Sequence, residues 1–339
     1  MKSATVYGAG VYGLCLAWRL VQRGYNVHVR SLEPPLGPGT SSIGGSRIYR
    51  FAYFESAAYV PLMQRAFGLW GELASELGTT VHEARGVVYA GPGDGDLLRG
   101  VRGSAEQYGL RIESGHPVPE PLPDGYETVF EPDAGFLYSD RICLGLFERL
   151  QGLGVQFEYG VPAVADAGLS FFALGPGMKA LCPKWSLTVT MQTIAWLEGV
   201  SDTLPVFGFD GGQGSFLYGI PAHADCTLVK VGEHLPGPVA GLALADPFAQ
   251  LPGIASNVAR FLGPEARVVQ KAACRYTNTV DGDFIVDWVR ANALGINACS
   301  GHGFKFAPAV ADLAIELAES GVRPELIQDF GADRFSVPE

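Results

Sequence analysis

Apolar and polar positions along this chain follow two periods, and the places where the period changes outline the elements. A short β-branched and aromatic run at 4–8 gives way to an apolar helical pattern over 12–23, and a second strand is expected at 26–30. Residues 59–77 carry Leu62, Ala66, Leu69 and Leu73 at helical intervals, which predicts an amphipathic helix. Strands are expected next at 86–89, 136–138, 155–159 and 169–174, with helices near 95–109 and 141–152. The run LSFFAL at 169–174 is apolar throughout, as in a parallel strand covered on both faces. From 186 to 232 the pattern becomes short alternating strands at 187–193, 206–209, 216–220 and 227–231. Turn clusters such as Asp210-Gly211-Gly212 separate them, as in an antiparallel sheet. A helix at 247–262, strands at 268–277, 284–288 and 294–299, and a helix at 304–321 complete the chain. The sheet type switches twice, so two lobes of a mixed α/β protein are expected to interleave.

Glycine punctuates this pattern at two strand-to-helix junctions. Gly8-Ala9-Gly10-Val11-Tyr12-Gly13 joins the first strand to the first helix with the spacing of a Rossmann-like dinucleotide turn. Gly8 suits the tight turn, Gly10 a close approach to a pyrophosphate, and Gly13 close helix–strand packing, while the helix start attracts an anion. The acid that holds the adenosine ribose usually ends the second strand; here the chain reads Arg30-Ser31-Leu32-Glu33, leaving Ser31 or Glu33 for that task. Ser300-Gly301-His302-Gly303-Phe304-Lys305-Phe306 is the second such junction, with a lysine added. Between them a Pro/Gly/Ser loop at 34–46 feeds Arg47 and Arg50, which read either as a solvated face or as an anion site. Spacing alone makes Cys274 a core strand cysteine, with Arg275 beside it able to raise its reactivity, and His234 a surface histidine near Lys230.

Composition narrows the class. The 339 residues are 47% apolar and 17% charged, which suits a folded protein of two lobes. A net charge of −11 argues against nucleic acid or an anionic membrane as partner. Six cysteines are scattered without a framework, which favours a reducing cytoplasm. The apolar run after Met1-Lys2 superficially resembles a signal peptide, but the glycine spacing explains it better, and no apolar run reaches membrane-spanning length. Metal-ligand spacing and a GxSxG elbow are both lacking, so no metal is expected and hydrolase chemistry is disfavoured.

In order along the chain, GAGVYG, SRIYRFAY, FEPDAGFLYSD, YGIP, KVGEH, CRYTNTVDGDFIVD and SGHGFKF resemble the monomeric sarcosine oxidase family. That family includes N-methyltryptophan oxidase and pipecolate oxidase, within the larger D-amino-acid-oxidase-like flavoproteins. The resemblance implies a discontinuous Rossmann-like FAD-binding domain (1–85, 140–180 and 268–339) interleaved with an antiparallel-sheet substrate domain (86–139 and 181–267). It implies FAD held by Gly8, Gly10, Val11, Tyr12, Gly13, Ser31, Glu33, Ser46, Arg47, Gly301, His302, Gly303, Phe304 and Lys305, and bound covalently through Cys274. Ser46 stands where the family often has threonine. Lys230 matches the lysine that activates oxygen through a water, and Arg47 the arginine near the flavin face. Arg50 and Lys305 match the substrate-carboxylate pair, with Gly301 beside them; Tyr218 and His234 match groups lining the amine pocket, and Tyr276 lies close by.

The implied reaction is oxidation of a secondary amine or N-substituted amino acid. Hydride leaves the carbon next to nitrogen, an imine forms, and O2 is reduced to H2O2 by a cytoplasmic monomer. Three features depart from the family pattern: the late ribose acid, a short connection at 161–175, and substrate-side residues outside the matched motifs that are not family-typical, so sarcosine itself is not assigned. A desaturase or dehydrogenase tailoring a cyclic amino acid is the alternative activity, and a non-enzymatic flavoprotein module the alternative class.

Overall fold

The computed structural model describes residues 2–335 apart from 165–167, 202, 213, 235–236, 238 and 241–245. Its first sheet has six strands. Ser3–Tyr7 lies between Asn26–Ser31 and Leu169–Phe172, with Gln156–Tyr159 outside the former and Ala293–Asn297 outside the latter. These five run parallel, and Ile285–Arg290 adds an antiparallel edge. The chain runs from Ser3–Tyr7 outward through Asn26–Ser31 to Gln156–Tyr159 and then crosses to Leu169–Phe172 on the other side, so a crevice opens at the carboxyl ends of the central strands, where such sheets bind ligands.

Helices Val11–Gln22, Ser139–Gly152 and Ala307–Ser320 share one core with this sheet. Val6, Leu14, Trp18, Leu146, Val310 and Ile315 are all fully buried there. Tyr7 stacks on Phe172 at 4.7 Å in a second cluster with Met178 and Trp185. Gly13 makes the close packing possible, because a Cβ at that position would overlap the carbonyl oxygen of Gly8. Before the last helix, Phe304–Phe306 forms a 3-10 turn, and Pro308 sits in the helix's first turn, where a missing N–H is harmless.

The second sheet has eight strands, in the order Arg267–Asn278, Thr188–Glu198, Val229–Glu233, Ser215–Ile220, Val206–Gly212, Val87–Pro92, Tyr126–Glu131 and Glu113–Ser114. All neighbours are antiparallel except Val206–Gly212 with Val87–Pro92. Helix Leu251–Leu262 covers one face through Ile254, Val258 and Phe261. Arg267–Asn278, expected with the C-terminal dinucleotide segment, is hydrogen-bonded into this sheet instead. It pairs with Thr188–Glu198 along its whole length, with Cys274 opposite Gln192.

A third sheet of three short strands, Arg47–Tyr49, Gly135–Leu137 and His82–Glu83, bridges the two large ones. Gly135–Leu137 answers to the strand expected at 136–138. Arg47–Tyr49, His82–Glu83 and Tyr126–Glu131 escape the sequence reading because two- and three-residue strands carry no periodicity and YETVFE is half polar. The short connection at 161–175 contains 165–167, which lie outside the described residues.

Gly13→Ala is expected to abolish folding or sharply lower the thermal midpoint of the unloaded protein. Gly10→Ala, whose Cβ meets only Ser42 Oγ at 3.6 Å, is expected to stay within about 0.5 kcal/mol of the parent. Equal stability of the two variants in thermal denaturation would contradict the packing role of Gly13.

Candidate active site

One cleft of about 600 Å³ runs from the turn after the first strand to the far face of the eight-stranded sheet. At its first end Gly8 adopts φ +107° against the Ala173 backbone, and Gly10 caps the first helix in an extended conformation. The Ala9 N–H donates to Ser31 Oγ at 3.2 Å and the Val11 N–H to Ser42 Oγ at 3.2 Å. Tyr12 donates its hydroxyl to the Gly303 carbonyl at 2.7 Å, which ties the two glycine-rich turns together across the cleft. Thr40 Oγ1 and Ser41 Oγ line this end buried and without a hydrogen-bond partner among the described residues. Buried hydroxyls are rarely left so. Together with the bare backbone of Gly10 and the helix start, they fit the hydroxyl- and phosphate-rich half of a dinucleotide. Glu33 accepts from the Gly39 N–H at 2.7 Å, so its carboxylate also shapes the 33–40 loop at the cleft edge.

Midway, two cations straddle the Gly44 turn. Arg47 donates to the carbonyls of Ser46, Ser41 and Ile43 at 2.8, 2.9 and 2.6 Å, and lies 5.5 Å from the Phe304 ring. Lys230 Nζ donates to the Gly44 and Ser46 carbonyls at 2.8 and 2.7 Å. Burial, with Arg47 close by, holds Lys230 well below the ordinary lysine value. Cys274 shares this part of the cleft; burial pushes its thiol up, while Arg47 and Lys230 pull it back. Cys299 is a second thiol in the cleft, its sulfur accepting from the Thr277 N–H at 3.3 Å.

At the far end Arg50 is buried between the rings of Tyr53 and Phe54, at 4.0 and 4.3 Å. Its Nη2 donates to both oxygens of Glu55 at 2.5 and 2.6 Å, whereas Nη1 is buried with no partner among the described residues. Burial would push Glu55 up, but Arg50 beside it brings it down to about 2. Lys305 Nζ donates to the His302 carbonyl at 2.6 Å and to the Tyr53 hydroxyl at 3.3 Å. Burial and the neighbouring Arg50 hold Lys305 well below its ordinary value.

His302 completes the chain of donors. Its Nε2 lies 3.1 Å from the Gly282 carbonyl, which can only accept, so Nδ1 accepts from the Tyr53 hydroxyl at 2.6 Å. Tyr218, Tyr276 and His234 form the facing wall. Gly232 leaves room for the Tyr218 hydroxyl, which a Cβ would approach to 2.5 Å. Gly301, at φ +80°, fits against Tyr276 and His234, which a Cβ would approach to 2.5 and 2.6 Å. His234 is therefore not on the surface, and burial lowers its pKa.

Residues 3–317 match the profile of the FAD dependent oxidoreductase family (DAO). The chain belongs to that family. It is 31% identical to the N-methyl-L-tryptophan oxidase of Yersinia pestis (strain Pestoides F), over 97% of this chain and 98% of the relative. Its fold is that of NikD, described as an unusual amino acid oxidase essential for nikkomycin biosynthesis, in its open form. That superposition has a TM-score of 0.82 at 19% identity, covering 98% of both chains. L-proline dehydrogenase from P. horikoshii superposes with a TM-score of 0.81 at 16% identity, covering 98% of this chain and 97% of that one.

The protein is thus an FAD-dependent oxidoreductase of the amine and amino-acid oxidase type. In this family member Gly8, Gly10, Val11, Tyr12, Ser31, Glu33, Ser46, Arg47, Cys274, Gly301, His302, Gly303, Phe304 and Lys305 all border the same cleft. Arg50, Tyr218, Lys230, His234 and Tyr276 join them, and Gly13 lies beneath the turn. The His302 ring, stacked on Phe284 at 4.7 Å, is engaged with protein groups at both nitrogens. Sequence reasoning passed over Thr40, Ser41, Ser42, Glu55 and Cys299. The three hydroxyl residues form a polar run inside a Gly/Pro loop, which is the only signal they carried.

Burial lowers His302 from 6.5 to about 3, so the native imidazole stays neutral while the unfolded one takes up a proton. Its contribution is complete above pH 6.5 and is lost as pH falls from there toward 3. His302→Gln is expected to make unfolding free energy less steep with pH in this window, by up to about 1.4 kcal/mol per pH unit. Denaturant titrations at several pH values measure it, and an unchanged slope would refute the neutral buried imidazole.

Proposed function

We propose that this oxidoreductase acts on a secondary amine carrying a carboxylate, such as an N-methyl or cyclic amino acid. The observation that carries this reading is the buried Nη1 of Arg50, without a partner among the described residues, beside Lys305. A guanidinium fixed on one side by Glu55 and stacked between two rings offers its other side to an anion. A carboxylate accepting from Arg50 Nη1 and Lys305 Nζ would gain charge-assisted bonds in a site with little water to compete. It would also hold the neighbouring C–H in one orientation, which is where proximity lowers the barrier.

Tyr218, Tyr276 and His234 would surround the amine. Burial disfavours charge there, and so favours the neutral amine over the ammonium ion. FAD would lie along the cleft from Gly8 to Lys305, and when bound it supplies the acceptor for the hydride and the route of electrons to oxygen. Cys274 would hold it covalently, a reading supported by a thiol set beside Arg47 and Lys230. Lys230 would place a positive charge where oxygen is reduced, and Arg47 would fix the loop around it. Ser31 and Glu33 would serve the adenosine end. The same proposal includes a cytoplasmic location, which the six free cysteines favour, and a monomer.

Anaerobic mixing with sarcosine, proline, pipecolate and N-methyl-L-tryptophan is expected to bleach the flavin with at least one of them. The matching carboxamide should bleach it at least about tenfold less efficiently. Arg50→Met should erase that preference. Bleaching by acid and amide alike would overturn the carboxylate reading. Acid precipitation should leave flavin on the parent chain and release it from Cys274→Ala; release from both would overturn covalent attachment.

A further inference from the structure

The mid-chain motif FEPDAGFLYSD has no partner in the reaction itself, yet it touches the active-site loop at two points. Its centre, Gly135–Leu137, pairs antiparallel with Arg47–Tyr49, so that Arg47 faces Leu137 and Tyr49 faces Gly135. On one side of this short ladder stands Glu131, 1% exposed. Its Oε1 accepts from the N–H groups of Phe51 and Ala52 at 2.6 and 3.0 Å, and its Oε2 from the Tyr89 hydroxyl at 3.0 Å. Those two amides follow Arg50 directly. On the other side stands Asp140, whose Oδ1 accepts from the Gly45 N–H at 3.0 Å, while the Ser139 N–H donates to the Gly45 carbonyl at 3.0 Å. The flanking carbonyls, of Gly44 and Ser46, are the ones that hold Lys230.

We infer that Glu131 and Asp140 are positioning residues that act on separate halves of the reaction. Glu131 sets the backbone from which Arg50 reaches the substrate carboxylate. Asp140 sets the Gly44–Ser46 carbonyls and, through them, the direction of the Lys230 ammonium. The inference rests on the roles proposed above for Arg50 and Lys230. Both clamps use a carboxylate on backbone N–H groups, a strong and directional contact. Neither carboxylate reaches the Arg50 guanidinium or the Lys230 amine by a hydrogen bond, so each directs its cation through the backbone it holds. Because the two clamps lie on opposite sides of one three-residue ladder, loosening one leaves the other anchored.

The test uses the flavin-loaded enzyme and the variants Glu131→Gln and Asp140→Asn, with Arg50→Met and Lys230→Met as references. Acetate binding is read from the flavin absorbance, and oxygen reactivity from reoxidation of photoreduced flavin without any amine. Glu131→Gln is expected to weaken acetate binding about tenfold and leave reoxidation within about twofold; Asp140→Asn should do the reverse. Amide hydrogen exchange in the unloaded protein should speed up at Phe51 and Ala52 in the first variant and at Gly45 in the second. If Glu131→Gln does not hold flavin, Tyr89→Phe, which frees only Oε2, should shift acetate binding in the same direction. Loss of both readouts together in either variant, or of neither, would overturn the separation. Should Arg50→Met leave acetate binding intact, or Lys230→Met leave reoxidation intact, the role proposed for that cation fails. The inference then falls with it in that half, whereas amide exchange still shows whether the clamp itself is present.

Discussion

Four basic side chains, Arg47, Arg50, Lys230 and Lys305, line one cleft, the last three of them buried, and much of the surrounding architecture follows from satisfying their donors. Removing a cation from water costs several kcal/mol unless its donors are satisfied. Here backbone carbonyls do most of that work: three for Arg47, two for Lys230 and one for Lys305. Carbonyl dipoles satisfy donors without cancelling the net charge, so the cleft stays attractive to an anion. Arg50 is the exception, with Glu55 on one edge of its guanidinium. Since arginine does not give up its proton, it can carry such a partner and still present its other edge. The acidic surface of the chain, with its net charge of −11, conceals this interior.

Carbonyls can serve as ligands only where the backbone is not committed to helix or sheet, which explains why a loop wraps the site. Ser41, Ile43, Gly44 and Ser46 turn their carbonyls toward Arg47 and Lys230, with Gly44 and Gly45 at positive φ. Such a loop has little cohesion of its own and must be held from outside. The three-stranded sheet, the Glu131 and Asp140 carboxylates and the Ser139 amide supply that hold. The chemistry therefore sits on irregular backbone between two sheets of ordinary regularity. The fold itself persists in structures only 19% and 16% identical.

Most of the large elements were readable from periodicity, because helix Tyr59–Leu77 or the Ser3–Tyr7 strand buries one face or both against a single core. The site was partly readable too: the turns at Gly8 and Gly301 and the cations Arg50 and Lys305 sit in motifs long enough to stand out. Other features were hidden for physical reasons. Glu55 is an ordinary acid in the sequence and acquires meaning only where Arg50 folds over it. His234 reads as exposed because it closes a strand beside Glu233, although its neighbours in space are Gly301 and Tyr276. Arg267–Asn278 looks like any strand, and nothing local says that its partner is Thr188–Glu198.

By itself the sequence determined the element types, the dinucleotide turn and its family, because these rest on local backbone preferences and contiguous motifs. Only the tertiary structure decided which sheet carries Cys274, which edge of Arg50 stays open, and which carbonyls receive Lys230. Those outcomes depend on strand pairing and side-chain approach between residues far apart in the chain, such as Lys230 with Gly44 and Tyr12 with Gly303. A turn's chemistry is written in adjacent residues; the company a buried charge keeps is set by long-range packing.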